Sequence, residues 1–314
     1  MTQYIVQRVI QTLVVILILS VICFFLMHLL PGDPALSLLG EEPTQEEIER
    51  VRAELGLDRP VIVQYFSWLA DAVRGDLGTS IKYREDVTSL ILHRLTPTLH
   101  IGVVSFVISV VLGVAAGVIA SIRRGGWLDS LITISANLGM AVPNFWLGIL
   151  GIYFFSLYLG WLPVQGYVSP AEDFWESTKR IIMPCLVLGC SSMAGLARQT
   201  RSSMLEVIRQ DYIRTAKAKG LKRKVVLYKH ALKNAVIPVI TLCGLMLPNI
   251  IGGSVIIEQV YNINGIGRLM LTAVFDRDII VVQGCLIMIS ITVALANLLV
   301  DISYGYFNPR IRYR

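Results

Sequence analysis

The stretch DYIRTAKAKGLKRKVVLYKHALKNAVIP, residues 211–238, stands between two long apolar runs and decides how the chain is organised. It carries eight lysines and arginines but only one acidic residue. Gly220 interrupts it as a glycine does just past a helix end, and helix-forming residues lie on both sides. We therefore predict a helix, a short turn and a second helix, projecting from the membrane on the side that holds basic charge.

The composition of the chain is that of an integral membrane protein. Of 314 residues, 54% are hydrophobic and 16% are charged, whereas soluble domains are nearer a quarter charged. The net charge of +6 is explained by an asymmetry between the two membrane sides, so no nucleic-acid partner is expected. The five cysteines fall in or beside apolar runs without a C-x-x-C pair, which predicts packing residues rather than metal ligands or disulfides.

Six apolar stretches are long enough to cross a bilayer, which takes about 20 residues. The first is too long for a cleavable signal core and is predicted to remain as a transmembrane helix. Pro143 predicts a kink or tilt in the third, and the fourth is short and holds Pro184. The fold class is therefore all-α, with spans at 9–30, 99–122, 131–159, 181–197, 235–257 and 279–300.

The charges between the spans predict the orientation of the chain. If the N-terminus is cytoplasmic, the inner segments 1–8, 123–130, 198–234 and 301–314 carry net charges of +1, +1, +9 and +2. The outer segments 31–97, 160–180 and 258–278 carry −5, −1 and −1. Because basic loops stay inside, both termini are expected in the cytoplasm.

We divide the chain into residues 1–30, a helical extracytoplasmic insertion at 31–97, and a core of five spans at 98–314. Thr44 and Glu47 form a capping-box pattern before a helix at 45–55, which Gly56 would end. A second helix after Pro60 should lie at the membrane interface, and residues 75–80 form a turn. The apolar face of that helix is predicted to be Val61, Tyr65, Trp68, Leu69 and Ala72.

The predicted spans contain no Asp, Glu, Lys or Arg, and His28 and His100 are interpreted as polar caps near outer ends. An ion-coupled carrier or a membrane hydrolase would need ionisable groups at depth, so both classes are disfavoured. The sequence has no G-x-x-x-x-G-K-[ST] phosphate loop. No cofactor is expected, and uphill transport would need energy from a partner protein.

The basic segment 198–234 admits three interpretations. Its charges could only set orientation and contact anionic lipid headgroups. The stripe Met204, Ile208, Tyr212 and Ala216, spaced by four on one predicted helical face, could pack on the protein's own helices. Alternatively, the helix pair docks on a cytoplasmic motor and carries its movement into spans four and five.

A set of ordered motifs resembles the dipeptide, oligopeptide and nickel branch of the ABC importer permeases, over nearly the whole chain. The central motif is YIRTAKAKG…HALKNAVIPVI, similar to the cytoplasmic E-A-A motif. The others are LPGDPA (30–35), ELGLDRP (54–60), GDLGTS (75–80), TPTL (96–99), VPNFWLG (142–148), WLPVQGY (161–167), ARQTRSSMLEV (197–207), GGSVIIEQVYNINGIGRL (252–269) and NPRIR (308–312).

The resemblance implies a membrane subunit that pairs with a paralogous permease in the bacterial inner membrane. One or two cytoplasmic ATPases and an extracytoplasmic binding protein would complete the importer. The motif glutamate falls on Arg214 and its two alanines fall on Thr215 and Ala216, so a role for that carboxylate is in doubt while the helix–glycine–helix shape is not. The resemblance implies that the chain is a transport subunit and not an enzyme.

The resemblance also assigns candidate site residues. The ATPase-coupling segment is 211–220, through Asp211, Tyr212, Arg214, Thr215, Ala216, Ala218, Lys219 and Gly220. Arg198 and Arg201 would anchor its base, and segments 31–97 and 258–278 would dock the binding protein. Asn144, Gly252 and Gly253 are candidates for the translocation pathway; simple helix packing is the favoured alternative for the two glycines, and a structural role is the alternative for Asn144.

The substrate is not encoded in any recognisable cluster. Peptide is the first expectation, with a nickel or metal chelate or glutathione as alternatives within the same family. A stand-alone channel or facilitator is the alternative from another class.

Overall fold

The computed structural model describes residues 2–29, 44–54 and 57–307, and this part of the chain is helical with one isolated β-bridge between Thr79 and Asp86. The predicted all-α class is confirmed. Residues 152–158 and 226–231 form π-helical turns within longer helices. The helices are α1 Thr2–Leu29, α2 Gln45–Glu54, α3 Val61–Val73, α4 Val87–Ile122, α5 Trp127–Ala141, α6 Asn144–Tyr158, α7 Phe174–Ile208, α8 Asp211–Ala218, α9 Arg223–Val260, α10 Ile266–Phe275 and α11 Ile279–Phe307.

Five helices in the described residues are long and apolar enough to span a membrane, and the pair α5 and α6 makes a sixth if it counts as one span. The helix axis bends by 107° between the two halves, so the kink predicted at Pro143 is present and is far sharper than a tilt. Its cause is local: Val142 and Pro143 are extended, and the proline has no N–H to continue the helix.

The bent pair runs beside α7 along its length. Asp129 at the start of α5 binds Arg201, Gly139 lies against Cys190, and Gly151 in α6 lies against Met183. These contacts move steadily towards the N-terminal end of α7. Both halves of the bent pair are therefore held against α7.

The centre of the bundle is a parallel seam between α4 and α7. The α4 residues at the seam are small and recur every four positions. Ser105 Oγ donates to the Cys185 carbonyl and Ser109 Oγ to the Gly189 carbonyl, each at 3.0 Å. Further along, a Cβ on Gly117 would lie 2.5 Å from a backbone oxygen of α7. Hydroxyls and glycines thus let the two backbones approach closely.

Several predicted boundaries were too narrow. Helix α4 begins at Val87 and continues through Pro97, so the expected division between residues 97 and 98 lies inside one helix. Helix α7 covers Phe174–Ile208 rather than 181–197, since Pro184 is accommodated in its interior. Neighbouring helices can support a proline inside a membrane helix, and sequence alone does not reveal those neighbours.

The described part of the insertion follows its local signals. The Thr44 N–H donates to Glu47 Oε2 at 2.9 Å and the Glu47 N–H to Thr44 Oγ1 at 3.4 Å, which confirms the capping box. Gly75 and Gly78 both have φ of +91°, as the predicted turn requires. Gly56, the motif at 30–35 and the motif at 308–312 lie wholly or partly outside the described residues.

Helix α3 packs through only part of its predicted face. Tyr65 is buried, and Trp68 and Ala72 contact the apolar cluster around α11. Val61, at the first position of the helix, is 39% exposed and is not part of the packed portion of that face.

The histidine and cysteine predictions have mixed outcomes. His100 Nδ1 lies 3.0 Å from the Tyr167 hydroxyl, which fits a polar cap, whereas the His28 side chain lies outside the described residues. Cys23, Cys185 and Cys285 are buried with free thiols, as expected of packing residues.

Candidate coupling site

Helix α8 sits on the protein's own core, where three long helices end. Ile213 and Ala216 are buried in an apolar cluster that includes Val118 of α4, Met204 of α7 and Val226 of α9. Since α8 is only eight residues long, this anchoring is what fixes its position. A displacement of α8 therefore acts directly on the ends of α4, α7 and α9.

The opposite surface of α8 is open. Of the predicted coupling residues, all but Ala216 are exposed: Asp211, Tyr212, Arg214, Thr215, Ala218, Lys219 and Gly220. Ala216 is 8% exposed and faces inward, so it can seat the helix but presents no surface to a partner.

The four-residue stripe predicted from Met204 to Ala216 does not lie on one helix. Helix α7 ends at Ile208, and α8 begins at Asp211 after a break. The break rotates the second half of the pattern, so Ile213 takes the buried position and Tyr212 stays 43% exposed.

The turn after α8 matches the sequence interpretation. Gly220 has φ of +77°, and its N–H donates to the Lys217 carbonyl at 3.0 Å. A Cβ placed there would meet open space, so the glycine is required by the backbone conformation and not by crowding. The predicted helix, turn and helix arrangement is confirmed.

A contact between α8 and α9 was not predicted. Asn234 Nδ2 donates to the Tyr212 hydroxyl at 2.8 Å, and Asn234 lies in the first turn of α9 after its π-helical segment. The sequence places the two residues in the same motif but does not show that they meet.

Arg201 lies where an anchoring role was expected, and the structure identifies its partner. Its Nε donates to Asp129 Oδ1 at 2.6 Å and its Nη2 to Asp129 Oδ2 at 2.8 Å. The N–H of Gly125 adds a third bond to this buried carboxylate at 2.9 Å. The pair ties the turn before α5 to the end of α7. Arg198 is exposed, and no described residue pairs with it.

On the other side of the bundle, a buried carboxylate holds the segment after α9. Glu258 is completely buried; it accepts from Thr98 Oγ1 at 2.8 Å and from the Arg268 N–H at 3.0 Å. Thr98 Oγ1 also accepts the Ile266 N–H at 2.9 Å. The sequence interpretation placed Glu258 in an outer segment just beyond an uncharged span. The only signal of its burial was its position directly after the apolar run.

The two segments expected to dock a binding protein contact each other. Ser80 Oγ donates to Asp278 Oδ2 at 2.6 Å, and the Lys82 N–H donates to the same oxygen at 3.2 Å. The Lys82 ammonium pairs with Asp276, and this hydrogen bond raises the pKa of Lys82 above its ordinary value. Residues 80–82 and 276–278, which are far apart in sequence, thus lie together in the structure.

The pathway candidates are not brought together. A Cβ on Gly253 would contact Leu188 of α7 at 3.3 Å, which fits helix packing, and one on Gly252 would have no neighbour within 4 Å. Asn144 begins α6 directly after the bend, and it is within 4 Å of neither Cβ position.

Comparison with known families agrees with this architecture. Residues 88–313 match the family described as the binding-protein-dependent transport system inner membrane component, and residues 1–102 match the N-terminal part of such components. The chain belongs to this family. It is a multi-pass membrane permease of the ABC importer class.

The most similar relatives include peptide permeases. A putative peptide transport system permease protein of Brucella abortus (strain 2308) is 42% identical over 313 residues, covering 100% of both chains. The glutathione transport system permease protein GsiC of Escherichia coli (strain K12) is 41% identical over 314 residues, again with 100% of both chains covered. The permease described here thus matches these relatives from end to end.

A solved structure supports the fold. The MetNI methionine ABC transporter in an inward-facing conformation matches with a TM-score of 0.56 at 19% identity, covering 70% of this chain and 96% of the other.

Proposed function

We propose that the permease is one of two membrane subunits of an ATP-driven importer for peptides. A paralogous permease would be the second subunit, one or two ATPases would bind below, and an extracytoplasmic binding protein would deliver the substrate. The observation that carries the proposal is the seating of α8. Its inner face joins the ends of three long helices, while its outer face offers Tyr212, Thr215 and Lys219 to a partner.

In this proposal, ATP binding and hydrolysis occur in the partner and the permease does no chemistry itself. Movement of the ATPases would shift α8 together with the ends of α4, α7 and α9. The Asp129–Arg201 pair would carry the same movement to α5 and thus to the bend at Pro143. Asn144 and Gly252 are proposed to face the pathway that opens.

The charge pattern supports the orientation of the proposal. The α8 side carries the basic segments and would be cytoplasmic, with both termini on that side of the bacterial inner membrane. The outer surface joined by Asp278 would then be available to the binding protein.

Peptide is the substrate we propose, because the Brucella relative is named for peptide transport. Glutathione is itself a short peptide, and the Escherichia coli relative named for it is nearly as similar, which makes it the second candidate.

The coupling role can be tested at Gly220. Gly220→Pro is expected to abolish ATP-dependent peptide uptake, because a proline ring cannot adopt positive φ. Gly220→Asn is the matched control, since asparagine tolerates this conformation and should retain uptake.

Both variants must insert and accumulate like the wild type for the comparison to count. Full uptake by well-expressed Gly220→Pro would contradict the coupling role. Substrate flux into liposomes holding the permease without any ATPase would instead support a stand-alone channel.

A further inference from the structure

Helix α3 has a surface that the transport cycle described above does not use. One face packs on the protein through Tyr65 and Trp68. A second face is polar and is formed by Gln64, Ser67 and Asp71. The third face is apolar and open: Ile62, Phe66 and Val73 are 65%, 61% and 80% exposed.

The three apolar side chains share one face because they are spaced by four and seven residues. The polar residues, spaced by three and four, occupy a different face. A helix with separate apolar and polar surfaces of this kind is typical of helices that lie in the plane of a membrane.

The contacts of α3 with α1 determine how deep α3 lies in the membrane. The apolar segment Ile5–Leu26 of α1 is 22 residues long, or about 33 Å, close to the roughly 30 Å of a hydrocarbon core. Ser20 lies about 9 Å before the end of that segment, and Phe24 about 3 Å before it. The Tyr65 hydroxyl bonds Ser20 Oγ at 2.9 Å, and the Phe24 ring centroid is 5.4 Å from that of Tyr65.

We propose that α3 is embedded in the membrane leaflet at the C-terminal end of α1, with Ile62, Phe66 and Val73 among phospholipid acyl chains. Partners in contact with Ser20 and Phe24 must lie within the apolar depth of α1. The exposed face of α3 is apolar, and so is the exposed surface of α1, where Ile18 and Ile22 are 52% and 47% exposed. Helix α3 is therefore in contact with lipid and does not project away from the bilayer.

Photocrosslinking in the intact membrane tests this placement. The photoreactive residue p-benzoylphenylalanine would replace Phe66 in one full-length variant and Ser67, on the polar face, in another. Both variants would be expressed with the importer's partner subunits and irradiated in native membranes. The purified permease would then be analysed by mass spectrometry for covalent adducts. The result depends only on where α3 lies, whichever substrate the importer carries.

A phospholipid adduct at position 66, at least ten times more abundant than at position 67, is the expected result. An adduct of position 66 with another polypeptide would overturn the proposal in favour of a protein partner. Equal lipid labelling at both positions, or none at either, would also overturn it. A third variant, with the photoreactive residue at Ile62, guards against local misfolding of the Phe66 variant and should behave as position 66 does.

Discussion

The pair between Arg201 and Asp129 gives the sharpest test of how the end of the bundle that carries α8 is held together. Arg201→Ala would remove both donors from a carboxylate that is only 5% exposed, leaving the Gly125 N–H as its remaining bond. Removing one partner of a fully buried pair costs about 3–5 kcal/mol. The Arg201 side chain is 31% exposed, so water replaces part of the loss and we expect about 2 kcal/mol.

Thermal unfolding of the purified permease measures this effect, with an expected fall in Tm of roughly 3 °C for a chain of 314 residues. Arg214→Ala is the matched control, since its pair with Asp211 is 76% and 94% exposed and should leave Tm unchanged. Adding Asp129→Asn to Arg201→Ala should recover part of the loss, because the uncompensated charge is gone. If Arg201→Ala has the Tm of the wild type, or if the double variant has the same Tm as Arg201→Ala, the reasoning about this pair is wrong.

Two further predictions concern the seam and the outer segment. Gly117→Ala should lower Tm through a cost of about 1–3 kcal/mol, since its Cβ would lie 2.5 Å from a backbone oxygen of α7. Gly102→Ala should not lower Tm, because a Cβ there would lie 4.0 Å from its nearest neighbour. Equal Tm values for the two variants would argue against a tight seam. Thr98→Val should speed amide hydrogen exchange in residues 261–266, because it removes a hydrogen-bond donor to the buried Glu258 carboxylate. The lost bond should cost about 1–3 kcal/mol of local stability. Thr292→Val, whose hydroxyl bonds only its own helix, should leave that exchange unchanged, and identical rates in both variants would contradict this.

Local signals in the sequence predicted local structure well. The Thr44 and Glu47 capping box, the turn glycines and the positive φ of Gly220 each depend on a few neighbouring residues. The helix, glycine and second helix that begin at Asp211 could be predicted for the same reason, since they form one contiguous motif.

Features that depend on distant partners could not be predicted. The four-residue spacing placed Met204 and Ala216 on one helical face, because no glycine or proline marks the break in the helix at Arg209. The partner of Arg201 lies 72 positions away, and Glu258 meets Thr98 across 160 positions. A pattern read along one chain carries no information about such pairings.

Helix α7 is longer than a bilayer requires. Its 35 residues extend for about 52 Å, and the part beyond Arg198 alone adds about 15 Å. In the importer that we propose, this extra length of α7 would hold α8 beyond the lipid headgroups. In the same proposal, a thicker or thinner bilayer would change the tilt of α7 without covering the exposed face of α8, so binding of the ATPase would depend little on the lipid composition of the cell.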